Sequence, residues 1–245
     1  MHDQNRGGDL PPTEPPPPEP RQRWRLVVGR SADVAGQTQR DVAEAWEAAI
    51  AAAGLPVALG SDARARPRIS FGAPLPVGMA AHGELIDVVL TERWPAWRVR
   101  EALTPVLPPG WHLVELHDVW LAGPPLGGRV AAADHRIVLG ATGSADGARL
   151  RDAMTMLLAS GRVPRERRKG EGTVTYDLRP LVLDVRLVAA GSPLTLVART
   201  RIHPELGTGR PDEVVAALGD IIGESLEITS IERERLVLIE DIDVD

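Results

Sequence analysis

Pro67-Arg-Ile-Ser-Phe-Gly-Ala-Pro-Leu-Pro-Val-Gly78, followed by Glu84-Leu-Ile-Asp-Val-Val-Leu90, is the stretch on which the fold turns. A short strand over 68–73 runs into a rigid Pro-Leu-Pro turn closed by Gly78, and an apolar strand over 84–91 carries Asp87 among branched residues. Two strands in succession need helices elsewhere to cover them, and the flanks supply two. Residues 38–53 place Val42, Ala45, Trp46, Ala49, Ile50 and Ala53 on one face, with Gly54 as the stop. A second helix starts at Pro95, with Val99, Ala102, Leu103 and Val106 inward, and ends at Pro-Pro-Gly110. Strands at 24–29 and 111–121 complete the order strand, helix, strand, strand, helix, strand.

Ala122-Gly-Pro-Pro-Leu-Gly-Gly128 punctuates the chain and offers little to pack, so it reads as a linker. The same order then recurs: a strand at 129–140, a helix at 146–160, strands at 181–190 and 194–202, a helix from Pro211 ending at Gly223, and a strand at 227–240. Residues 173–178 add one strand. The pattern predicts an α+β protein of two tandem ferredoxin-like (βαββαβ) units with antiparallel sheets. The units span 23–121 and 129–245, joined by 122–128. Residues 1–22, rich in proline and acid with almost nothing to bury, read as a disordered lead.

The 245 residues, 43% hydrophobic and 25% charged, suit two ordinary cores. No run approaches the roughly 18 apolar residues of a membrane span. The polar N-terminus carries no export pattern, so a cytoplasmic protein with no membrane association is expected. Cysteine is absent, which removes disulfides, thiolate metal sites and cysteine-held iron–sulfur clusters. The net charge of −6 argues against a wholly basic surface but permits a local patch. Of the 28 basic residues only Lys169 is a lysine, leaving 27 arginines, whose forked guanidinium is the better phosphate ligand.

Together with Tyr176-Asp-Leu-Arg-Pro-Leu-Val182, the opening stretch resembles the radical SAM-linked protein family, a domain of unknown function fused to, or encoded beside, radical SAM proteins. The resemblance implies a radical SAM protein as partner. Radical SAM enzymes hold their cluster with three cysteines, so this chain would be an accessory and not the radical-generating enzyme. The family carries a Ser-His-Leu-Asp motif after its first strand and a Gly-Phe-Asn-Pro-His-Pro turn before the Ile-Ser-Phe strand. Here those places read Arg30-Ser-Ala-Asp-Val-Ala35 and Gly60-Ser-Asp-Ala-Arg-Ala-Arg-Pro67, and both histidines are gone. The retained Ile69-Ser-Phe71, Pro74-Leu-Pro76, Gly78, Glu84, Asp87 and 176–180 look like scaffold.

His2, His82, His112, His117, His135 and His203 form no metal-ligand spacing, so no metal site and no cofactor is expected. Ala141-Thr-Gly-Ser144 lacks the lysine of a phosphate-binding loop and reads as a helix cap. The one charge cluster is Arg162-Val-Pro-Arg-Glu-Arg-Arg-Lys169, read as a basic loop in which Arg162, Arg165, Arg167, Arg168 and Lys169 are polyanion contacts, with Arg64, Arg66 and Arg68 as a second group. Trp94 and Trp97 are candidates for a stacking or partner surface. Three functions fit: a non-catalytic accessory to a radical SAM protein that binds RNA or another anionic substrate, a protein–protein docking module, or a small RNA-processing endonuclease using His82, His135 or Tyr176.

Overall fold

The computed structural model describes residues 18–60, 65–140, 146–170, 172–189 and 193–242. Strand β1 (Gln22–Arg30), helix α1 (Gln39–Ala52), strands β2 (Ile69–Phe71) and β3 (Ala80–Leu90), helix α2 (Ala96–Leu103) and strand β4 (Trp111–Val119) make the first half. The second half contains β5 (Val130–Leu139), α3 (Gly147–Ala159), β6 (Pro164–Lys169), β7 (Gly172–Asp177), β8 (Val182–Ala189), β9 (Thr195–His203), β10 (Gly207–Thr208), α4 (Pro211–Ile222) and β11 (Ile228–Leu238). Local chemistry sets the helix ends. Thr38 and Asp41 form a reciprocal capping box at the start of α1, Asp146 accepts the Ala148 and Arg149 amides of α3, and Gly223 takes the left-handed φ of +79° that ends α4.

In the first half the strands lie in the order β2-β3-β1-β4 with antiparallel neighbours, and in the second β8-β9-β5-β11, also antiparallel. The two sets are not separate sheets, as two tandem units would have. They form one mostly antiparallel sheet of nine strands, fused where β11 pairs in parallel with β3 at Glu232↔Ala80 and Arg233↔Ala81. The reason is the shortness of β2. Its three residues cover β3 only opposite 86–88, and the remaining edge of β3 would be left with unpaired backbone groups. Gly83 permits the approach, since a Cβ there would sit 2.7 Å from the Glu234 carbonyl oxygen.

Helices cover one face of the sheet in two pairs. Trp24, Leu26, Val28, Ile86, Val88 and Leu90 meet Val42, Trp46 and Ile50 of α1 and Val99 and Leu103 of α2. In the second half Ile137, Leu139, Leu196 and Ala198 meet Leu150, Met154 and Leu157 of α3 and Val214, Val215 and Leu218 of α4. A smaller cluster of Leu126, Val130, Ala133, Leu236 and Leu238 fills the junction, so Leu126 of the 122–128 segment is fully buried. The basic segment at 162–169 is not a loop: β6 and β7 pair as an antiparallel hairpin from Pro164↔Asp177 to Lys169↔Gly172. Strand pairing uses the backbone alone, so a run of arginines can form a ladder while its side chains stay in solvent. Among the described residues no helix is long and apolar enough to cross a membrane.

Candidate functional site

The two helix pairs leave a cleft of about 870 Å³ over the junction of the halves. One wall is the proline-rich segment 73–79, and it is held by arginines. The segment lies outside the strand ladders, so most of its carbonyls need donors from elsewhere. Arg233, 3% exposed, donates to the Pro74 and Ala73 carbonyls at 3.0 and 3.2 Å, while its Nε donates to Glu84 Oε1 at 2.6 Å and its Nη2 to Glu84 Oε2. Arg30, 1% exposed, donates to the Pro76 and Met79 carbonyls at 3.1 and 2.6 Å and lies 5.8 Å from the Trp111 ring centre. Burial pulls the Arg30 pKa down, with Glu84 opposing and Arg233 adding to the fall. Gly78 closes the turn at φ +87°, its N–H on the Ala35 carbonyl at 2.7 Å.

Ala133 and His135 of β5, residues 228–233, the start of α4 and Arg167 of the hairpin form the other walls. Burial, then the positive charge of Arg233, pushes the His135 pKa down to about 4 against the pull of Asp134, so the ring is neutral at neutral pH. Its Nδ1 lies 3.4 Å from the Thr200 hydroxyl. Helix α4 begins with Pro211 and has no side-chain cap, and its first turn, which carries Asp212 and Glu213, borders the cleft. Arg210 is turned aside onto Asp212 at 2.7 Å, and that hydrogen bond raises its pKa. Hydroxyls of Thr208, Thr229 and Ser230 complete a surface suited to holding a ligand by hydrogen bonds and charge.

Among the described residues, the predicted polyanion contacts do not gather. Arg64 lies outside the described residues, as does the Ala141–Ser144 cap. Arg66 and Arg68 are exposed, and Arg68 lines a hollow with Arg23 and Asp87 on the helix-free face of the sheet. Arg162 is exposed ahead of the hairpin. Arg165 is an internal tie, reaching Asp220 at 2.6 Å and Glu213 at 3.8 Å on α4. Arg167 is exposed, lies 5.3 Å above the Tyr176 ring and borders the cleft. Arg168 and Lys169 belong to β6, their side chains outside the described set. Arg68 and Arg167 therefore sit on opposite faces of the sheet.

Several residues that carry the sequence resemblance make internal ties. Asp87 binds Arg23 at 2.6 Å and Arg25 at 2.8 Å, Glu84 binds Arg233, and Asp177 accepts the Val163 and Arg179 amides. His82 pairs with Glu232 at 2.9 Å, and burial raises the Tyr176 pKa. Trp94 is buried under Arg98, 3.6 Å from the ring centre, whereas Trp97 and Trp120 are 67% and 75% exposed. Among the described residues no three His, Asp or Glu side chains are grouped to hold a metal.

One arginine group escaped the sequence reading. On the helix-free face of the second half, Asp184, Arg199, Asp134 and Arg235 lie in one cross-strand row over β8, β9, β5 and β11. Asp134 accepts from Arg199 and Arg235, each at 2.8 Å. Burial would raise its pKa, but the two guanidiniums outweigh that and hold it below the usual range. The available signal was Arg199-Thr-Arg201, alternation that puts both arginines on one strand face; Arg233-Glu-Arg235 would have misled, because a bulge between them turns Arg233 to the cleft and Arg235 to the helix-free face.

A family model described as "Uncharacterized protein conserved in bacteria (DUF2344)" matches residues 23–214. A comparison with curated proteins finds no match. Among solved structures, a Cbf5-Nop10-Gar1 complex gives a TM-score of 0.49 at 10% identity, over 95% of this chain and 56% of that one. The archaeal box H/ACA sRNP Nop10-Cbf5 complex gives 0.44 at 9%, over 86% and 46%. An H/ACA RNP bound to a substrate RNA containing 2'-deoxyuridine gives 0.46 at 12%, over 86% and 47%. The chain spans about half the length of the solved chains it matches, and at these scores the likeness carries no functional argument.

Proposed function

We propose that this chain, which belongs to the DUF2344 family of uncharacterized proteins conserved in bacteria, is a non-catalytic accessory that holds an anionic substrate, RNA or a smaller anion, for a radical SAM enzyme. One observation carries the binding part: a cleft of about 870 Å³ with uncapped helix amides, a neutral imidazole in its wall and the exposed Arg167 at its border. Such a size suits one small ligand or one nucleotide of a longer chain. The radical SAM partner rests on the sequence resemblance, with the absence of cysteine favouring an accessory role. We read the halves as two βαββαβ units fused edge to edge, a reading supported by the repeated strand order. The fusion makes the cleft, since each half contributes one wall.

The test is ligand-dependent thermal unfolding with a panel of nucleotides and short RNAs. A bound ligand at a hundredfold over its Kd adds about 2.7 kcal/mol and raises the midpoint. Arg167→Ala should abolish the rise, and a panel that leaves the wild-type midpoint unmoved refutes the reading. A docking module is the second reading, favoured by the exposure of Trp97 and Trp120. It requires that Trp97→Ala/Trp120→Ala lose capture of a purified radical SAM protein that the wild type binds, while ligand binding persists.

A further inference from the structure

We infer that the helix-free face of the second half is a separate binding site for the phosphodiester backbone of a single-stranded polynucleotide. The inference goes beyond the cleft, which lies on the opposite face, and does not depend on it.

The site is a basin of about 720 Å³ with Arg186, Arg199, Arg201 and Arg235 set against Asp134 and Asp184, four cations to two anions among the described residues. The cross-strand row Asp184, Arg199, Asp134, Arg235 alternates in sign and neutralises itself. Asp134, with its side chain 4% exposed, fixes the Arg199 and Arg235 guanidiniums in place. The surplus charge therefore belongs to Arg186 and Arg201, one on each side of the row: Arg186 stands opposite Val197 and Arg201 opposite Ala132. Arg186 is exposed, and Arg201 uses its Nε on the Pro180 carbonyl at 3.1 Å. A purely structural network would need no such surplus.

Arg186 and Arg201 stand on neighbouring strands four residues apart in register, about 14 Å at ordinary strand geometry, which suits a chain of phosphates better than a single small anion. The ligand's bases are not what the face reads. All six tryptophans and Phe71 lie in the first half, and Tyr176 lies on the hairpin under Arg167, so the basin has no aromatic platform for stacking. Contact with phosphates alone predicts binding that ignores sequence and falls steeply with salt.

The experiment is fluorescence anisotropy of a labelled single-stranded RNA of about twelve nucleotides with the full chain over a salt series, using unlabelled RNA and DNA of the same sequence and inorganic polyphosphate as competitors. Arg186→Ala/Arg201→Ala should weaken binding at low salt at least tenfold and take roughly 1.4 off the log–log salt slope, about 0.7 for each contact on a single strand. Arg186→Lys/Arg201→Lys, which keeps the charge, should retain most of the slope, and unchanged circular dichroism melting shows that both variants fold. Competition by RNA alone names RNA as the source, and equal competition by DNA names the backbone of either; both support the site. Competition by polyphosphate with none by either nucleic acid overturns it. So does an alanine variant that binds like wild type, or wild type that binds no RNA at low salt. If Arg167→Ala removes RNA binding and the basin variant does not, this inference falls and the cleft reading stands; the reverse result upholds the basin alone.

Discussion

Replacing Glu84 with alanine removes the only carboxylate hydrogen-bonded to Arg233 among the described residues, and Arg233 cannot move to water because it is 3% exposed and fixed to the Pro74 and Ala73 carbonyls. A charge left buried without its counter-ion costs about 3–5 kcal/mol. For a chain of this size each kcal/mol moves the midpoint by about 2–4 °C, so Glu84→Ala should melt roughly 6–20 °C below wild type. Glu84→Leu/Arg233→Met removes both charges and keeps volume, which often costs little. The double variant should recover more than half of the loss while releasing the 73–79 wall, so its ligand-dependent stabilisation should shrink even as its melting returns. Thermal and urea unfolding followed by circular dichroism measure both effects. A single variant within about 1 kcal/mol of wild type, or a double variant no more stable than the single, refutes the view that this ion pair holds the cleft wall.

The His135 pKa falls from the ordinary 6.5 to about 4 on folding. The unfolded chain therefore binds the extra proton first, and stability present above pH 6.5 is lost as the pH drops toward 4, by about 2 kcal/mol between pH 7 and 5. His135→Gln should flatten that limb in urea titrations, and an unchanged pH dependence would show that the imidazole is not buried neutral. Gly83→Ala forces a Cβ against the Glu234 carbonyl where β3 meets β11, so unfolding should ease by about 1–3 kcal/mol; a neutral result would mean that the halves do not depend on this approach. Arg165→Ala should lower stability by about 1 kcal/mol through its ties to α4, whereas Arg162→Ala should be silent. Equal melting of the two variants would place both side chains in solvent.

The sequence by itself determined the helices and most of the strands, though not β6 or β10. Apolar spacing at Val42, Trp46 and Ile50 and at Val214, Val215 and Leu218, with Pro211 and Gly223 at the helix ends, marks helices because each turn carries its own signal. It also pointed to Glu84, Asp87 and 176–180 as scaffold. Tertiary structure alone decided which charges meet. Glu84 and Arg233 are 149 residues apart, and Asp134 and Arg235 are 101 apart. Their pairing depends on strand order and register, to which hydrophobic periodicity is blind. For the same reason adjacency in the run 162–169 did not tell Arg165 and Arg167 apart: the hairpin ties one to α4 and sets the other at the cleft. Arg186, Arg199 and Arg201, scattered over two strands, were drawn onto one face because neighbouring strands lie only about 4.8 Å apart.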